Sequence, residues 1–190
     1  MLTVDQIYNN QLKYVEILCK LNIDLTDLVK YLESVDYFKK PFASQGDFAC
    51  AGGLCKYALN LYYELSVLAN AYLPGKYSEE DLIKVAFFKD IYRAELYESY
   101  QKNVKNEQTG EWETIEAYRY RDQRPVFGDL GLNSFMITKK FFELTDEQAV
   151  TIIQANSKES YAGDIHEILK RFPLLTLIRM ADIAATYLGE

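Results

Sequence analysis

Residues able to do chemistry are sparse in this chain, and the sparsest type decides most. One histidine, His166, occurs among 190 residues. Serine and cysteine nucleophiles usually need a neighbouring base, most often histidine. Transition-metal centres draw on several imidazoles or thiolates. A multi-histidine centre within one chain is therefore excluded. His166 stands in Asp164-Ile165-His166-Glu167 and reads as a surface or capping residue at the start of a short helix. The three cysteines are Cys19, Cys50 and Cys55. Their odd number suits reduced thiols in a cytoplasmic protein, and the Cys50–Cys55 spacing is not that of a zinc ribbon. No histidine lies near Cys50 or Cys55 to activate either, so both read as small core residues. The densest basic stretch is Arg119 and Arg121 with Arg124. It suits a phosphate or an acidic partner, or simply the solvated end of a hairpin.

The charge balance narrows the partners. With 21 basic and 28 acidic residues the net charge is −7, and no basic stripe is visible. Direct nucleic-acid binding is disfavoured. An acidic protein is instead suited to basic surfaces, including the nucleic-acid-binding sites of other proteins. Hydrophobic residues at 49% and charged residues at 26% describe a folded chain. No apolar run approaches the ~18 residues of a membrane span. The amphipathic, acid-bearing N-terminus reads as neither a signal nor a transit peptide. The length, 190 residues, predicts a single domain over 1–190.

The elements that must position any site are mostly helical. Val4, Ile7, Leu12, Val15 and Leu18 mark an amphipathic helix over 3–19. Leu25, Leu28, Val29 and Leu32 mark another from Leu25 to Phe38, with Asp24 or Thr26 as its cap. After a loop at 41–49, Gly52-Gly53 opens a helix from Ala51 to Leu73, and Pro74-Gly75 stops it. Ser78 to Asp81 forms a capping box for a densely apolar helix running to about Tyr97. Alternating stretches at Tyr100–Asn106 and Trp112–Tyr120 flank Glu107-Gln108-Thr109-Gly110 and predict a β-hairpin. Gly128 to Gly131 reads as a loop. Helices follow near 132–143 and 145–156, the second capped by Thr145, and a last one spans Pro173 to Tyr187. The expected core contains Leu54, Leu61, Val85, Phe87, Phe88, Ile91, Leu177 and Ile178.

Four segments, taken in order, resemble the small HD-domain phosphohydrolases, particularly a group encoded by phages and prophages of Gram-positive bacteria. Residues 52–63, GGLCKYALNLYY, are similar to a helix start that normally reads Gly-Gly-Leu with a histidine three residues on. Residues 85–97, VAFFKDIYRAELY, are similar to the segment carrying the adjacent His-Asp pair. Residues 103–120, NVKNEQTGEWETIEAYRY, resemble an inserted hairpin, and 180–190, MADIAATYLGE, resemble the terminal helix with its ligand aspartate. The resemblance covers about 46–190, leaving 1–45 as N-terminal helices. It implies a mainly α fold, an HD-domain-like helical bundle with one inserted β-hairpin at about 102–120.

The departures from that family carry the functional argument. The family holds a divalent metal with several histidines and two aspartates, and the metal activates water against a phosphate ester. Here Tyr57 replaces the histidine after Gly-Gly-Leu and Lys89 replaces the histidine of the His-Asp pair. An earlier histidine falls near Asp47, and two later ones fall within about a residue of Leu130 and Ala155. Asp90 and Asp182 remain, and Arg93 stands where a lysine is usual. Two aspartates do not hold a catalytic transition metal, so the resemblance implies a degenerate site with no catalytic residue, metal or cofactor. Lys89 and Arg93 are the nearest replacements for the lost cation; on one helix Arg93 shares a face with Asp90 while Lys89 points about 100° away, so Arg93 is the better placed to pair with Asp90. The alternative is that Lys89 snorkels to solvent and the aspartates are unrelated.

Two functional classes follow. The first is a binding protein that acts on a protein partner, for instance as an inhibitor of a host defence or nucleic-acid-processing enzyme. The second is a surviving Mg²⁺-dependent phosphohydrolase using Asp90, Asp182 and Asp47 or Asp129, with a nucleotide-sensing pocket built on Arg93 as its variant.

Overall fold

The structure, a computed structural model, describes residues 2–107, 109–122, 128–157 and 165–188. It is mainly helical, with one two-stranded antiparallel hairpin among the described residues. Helices α1 (Val4–Cys19) and α2 (Thr26–Ser34) lead through a 3₁₀ turn, Tyr37–Lys39, to the long α3 (Gly53–Tyr72). α4 (Glu79–Phe88) and a short α5 (Arg93–Leu96) precede the hairpin, β1 (Tyr97–Lys105) and β2 (Trp112–Tyr120). α6 (Leu130–Thr138), α7 (Asp146–Gln154), α8 (Ile165–Arg171) and α9 (Pro173–Tyr187) complete the order.

α3 is the central helix, packed on α1, α4 and α9. Leu54, Leu61 and Leu65 are fully buried along it, and Ala181 and Ala185 of α9 are small enough to let that helix approach closely. All eight expected core residues are buried. The start of α3 depends on its two glycines. Gly52 has φ +77°, a left-handed conformation that glycine adopts freely. At Gly53 a Cβ would lie 2.1 Å from the Phe48 carbonyl oxygen. The loop before α3 can fold back onto the helix start only because that Cβ is missing.

Four boundaries differ from the sequence reading. The stretch Leu25–Phe38 is not one helix: α2 ends at Ser34, and Asp36 takes a left-handed φ of 53° before the 3₁₀ turn. α4 does not continue to Tyr97. From Ile91 to Glu95 the amides bond to carbonyls three residues back, except that Tyr92 donates to Ser134 Oγ of α6 at 3.4 Å. A turn tightened from 3.6 to about 3 residues hardly changes the apolar pattern, so periodicity could not reveal it. α6 begins at Leu130 rather than after Gly131, because Asp129 caps it by accepting the Leu132 amide at 2.8 Å. The hairpin also starts earlier than expected, at Tyr97, paired with Tyr120. Among the described residues no helix is long and apolar enough to cross a membrane.

Candidate functional site: a buried charge cluster

Where α4 ends, its last turn delivers Lys89 and Asp90 into the core between α3 and α9. Lys89 is fully buried and Asp90 is 4% exposed. A buried charge is tolerable only when paired and hydrogen-bonded, and both are. The Lys89 ammonium donates to Asp90 Oδ2 and, at 3.2 Å, to Oδ1 of Asp182 on α9. The Arg93 Nε donates to Asp90 Oδ1 at 2.8 Å, and the Asn156 side-chain amide donates to the same oxygen at 3.1 Å. Both oxygens of Asp90 are therefore engaged. Tyr57 of α3 donates its hydroxyl to Asp182 Oδ1.

Aromatic rings wall the cluster. The Phe42 ring stacks on Tyr57 at 3.7 Å, and the Arg93 guanidinium lies over the same Phe42 ring, 4.0 Å from its centroid. A second Arg93 nitrogen donates to the Phe42 carbonyl at 3.1 Å. Lys89 lies 5.4 Å from the centroid of Tyr57. Formal charge closes within the group: two cations, Lys89 and Arg93, face two carboxylates, Asp90 and Asp182.

The electrostatics follow from this geometry. Burial acts to raise the Asp90 carboxyl, but the Lys89 and Arg93 charges outweigh it and hold Asp90 at about 2. Burial lowers Lys89 from the usual range, opposed by Asp90. Burial pushes Asp182, which keeps about a third of its side chain exposed, up to about 6. The two carboxylates are thus unlike: one is locked in its ionised form, and the other titrates near neutrality.

Of the residues singled out from the sequence, Tyr57, Lys89, Asp90, Arg93 and Asp182 meet here. Asp47 does not: it is exposed in the loop before α3, and none of the cluster's bonds involves its side chain. Asp129 is committed to capping α6. Leu130 and Ala155 are half-buried against the core. The expectation that Arg93 is better placed than Lys89 to reach Asp90 is corrected, since both bind it. Arg93 has Asp90, the Phe42 carbonyl and the Phe42 ring as partners, which leaves it a poor phosphate anchor. Arg119 pairs with Glu98 at 2.8 Å on the exposed hairpin. Arg124 and Asp164 lie outside the described residues, as does the side chain of His166, whose backbone belongs to α8. Cys55 is buried, and burial pushes its thiol up to about 12, far from a reactive thiolate.

Sequence reasoning missed Phe42 and Asn156. Asn156 follows Ala155, beside which a family histidine was aligned, so a one-residue shift would have found it. Phe42 had no signal, because its role comes from a loop folding over Tyr57. Among the described residues no group of three or more His, Cys, Asp or Glu side chains is arranged to hold a metal ion. Compared with protein-family models, with curated proteins and with solved structures, the chain matches none.

Proposed function

We propose that this chain is a catalytically degenerate HD-type fold that acts by binding a protein partner. The observation that carries the reading is the position of the Lys89 ammonium between Asp90 and Asp182. In the family that the sequence resembles, two such aspartates face a divalent ion. Here a side-chain cation stands between them, and Tyr57 and Asn156 supply hydrogen bonds rather than imidazole ligands. A metal would have to displace a fully buried ammonium and leave it unpaired, at a cost of several kcal/mol, about 3–5 by analogy with broken buried pairs. The cluster then serves as a permanent cross-link of α3, α4 and α9, and function moves to the surface.

The net charge of −7 supports a basic partner surface, such as the nucleic-acid groove of a defence or processing enzyme. The surface also offers apolar anchors: Val4, Tyr8 and Leu12 form an exposed ridge on α1, and Trp112 near the hairpin end is 72% exposed.

The test combines metal analysis of the purified chain, loaded with Mg²⁺ and Mn²⁺, with turnover assays on nucleotides and phosphomonoesters. The expected result is substoichiometric metal and no turnover. Stoichiometric metal, or hydrolysis abolished by Asp90→Ala, overturns the reading. Binary binding assays against the products of neighbouring genes then test the partner, with salt-sensitive binding expected.

A further inference from the structure

A groove of about 450 Å³ lies away from the bonds of the charge cluster, between the first turns of α1, the segment 36–41 and the root of the hairpin. That volume is in the range of small-ligand sites, about 300–1,000 Å³. Its walls are largely apolar and aromatic: Ile7 and Tyr8 from α1, Pro41 from the loop, and Tyr97 and Tyr118 from the hairpin. The strand register explains why the tyrosines share a side. Tyr97 pairs with Tyr120 and Ser99 with Tyr118, which puts Tyr97, Ser99, Tyr118 and Tyr120 on one face of the ribbon.

The groove is electrically polarised along the hairpin. At the root, Lys40 lines it, and Arg121 is anchored beside it by donating Nε to the Tyr97 carbonyl at 3.3 Å. Burial and the Arg121 charge together hold the Lys40 ammonium below its usual range, so these cations feel each other. Among the described residues neither makes an ion pair. Asp36 lines the groove too and partly offsets the Lys40 charge, but it is exposed and makes no ion pair with Lys40. The other acid, Glu116, pairs with Gln101, four residues from Tyr97 and thus about 13 Å along the strand, where it accepts the Tyr118 hydroxyl at 3.2 Å. Two cations against the single exposed carboxylate of Asp36 leave this end of an apolar slot net positive, with room for an anion from outside.

We propose that this groove binds a small organic anion, a flat apolar body bearing one phosphate or carboxylate, with the anionic head at Lys40 and Arg121 and the body against Tyr8, Tyr97 and Tyr118. This site is independent of the degenerate-centre reading, and either can fail without the other.

The test uses the full chain and amide-resolved NMR titration with phenyl phosphate, benzoate, benzyl alcohol and inorganic phosphate. Saturable shifts at Tyr8, Lys40 and the hairpin root are expected for at least one aromatic anion. Benzyl alcohol and inorganic phosphate should bind roughly tenfold or more weaker, because each lacks half of the recognition. Lys40→Gln and Arg121→Gln should each weaken the aromatic anion by roughly tenfold and leave benzyl alcohol unchanged, while Lys40→Arg retains binding. Both cations are at least partly solvent-facing, and unchanged circular dichroism would confirm that the variants fold. Absence of saturable binding overturns the proposal. So does equal binding of inorganic phosphate, which marks an adventitious ion only, or affinity unmoved by both charge-removing variants.

Discussion

The buried cluster and the root of the hairpin hold cations in opposite ways. At the cluster, Lys89 and Arg93 meet two carboxylates that also accept from an amide and a phenol, and every charge has a partner inside the protein. At the hairpin root, Lys40 and Arg121 stand together with no ion pair among the described residues, only a backbone carbonyl on Arg121 and the exposed Asp36 nearby. The first arrangement spends its charges on holding helices together. The second leaves them available to a ligand. A buried cation is thus evidence of function only after its partners are counted, and by that count the buried cluster is the less promising binding site of the two.

Removing Lys89 should have the largest effect. Lys89→Ala strands Asp90 and Asp182 facing each other, and urea denaturation should show a loss of about 3–5 kcal/mol. Lys89→Met keeps the volume without the charge and should be comparably damaging if charge, rather than packing, is what matters. A midpoint unchanged in both variants would break the contrast between the two regions.

Arg93→Ala should cost less, about 1–3 kcal/mol, because Lys89 and Asn156 still hold Asp90. Equal losses for Arg93→Ala and Lys89→Ala would mean that the two cations act as one unit, which a double-mutant cycle would quantify.

Tyr57→Phe removes a single donor to Asp182 and should cost about 1 kcal/mol. It should also raise the Asp182 titration midpoint, since the hydroxyl favours the ionised form. In the unaltered chain, carboxyl-resolved NMR should place that midpoint near 6, from an ordinary value of 3.8. The sign of its linkage follows. A carboxyl raised on folding binds its proton more tightly in the native state, so its contribution to stability grows as pH falls from about 6 toward 4. Asp90, lowered to about 2, does the reverse: its contribution is complete above 3.8 and is lost as pH falls toward 2. Asp182→Asn should flatten the first limb and leave the second.

The smallest effect belongs to the hairpin root. Lys40→Gln should leave the denaturation midpoint within about 0.5 kcal/mol, or raise it slightly, because it removes a like-charge neighbour of Arg121. A loss comparable to that of Arg93→Ala would show that Lys40 is structural, and the comparison would collapse.

Much was legible without coordinates because it is local. The capping boxes at Ser78 and Thr145 form as read, since the serine or threonine and its partner lie three residues apart on one turn. The glycine pair that opens α3, the apolar faces of α3, α4 and α9, and the alternation of the hairpin are likewise short-range patterns. Of the site, Lys89, Asp90, Arg93, Asp182 and Tyr57 could be named by residue type and resemblance. Their bonding could not. Asp182 is 93 residues from Lys89 and Asn156 is 66 from Asp90, so only the packing of α9 and of the end of α7 against α4 decides that they meet. The tightened turn at 91–95 was invisible because it hardly changes the apolar pattern, and the Ser134 hydroxyl that takes the Tyr92 amide comes from another helix. Phe42 enters the site only because Gly53 lets a loop close over α3. The chain's own chemistry settled which elements form and which residue types are available, whereas close packing between distant segments decided which charges are neutralised and which remain open.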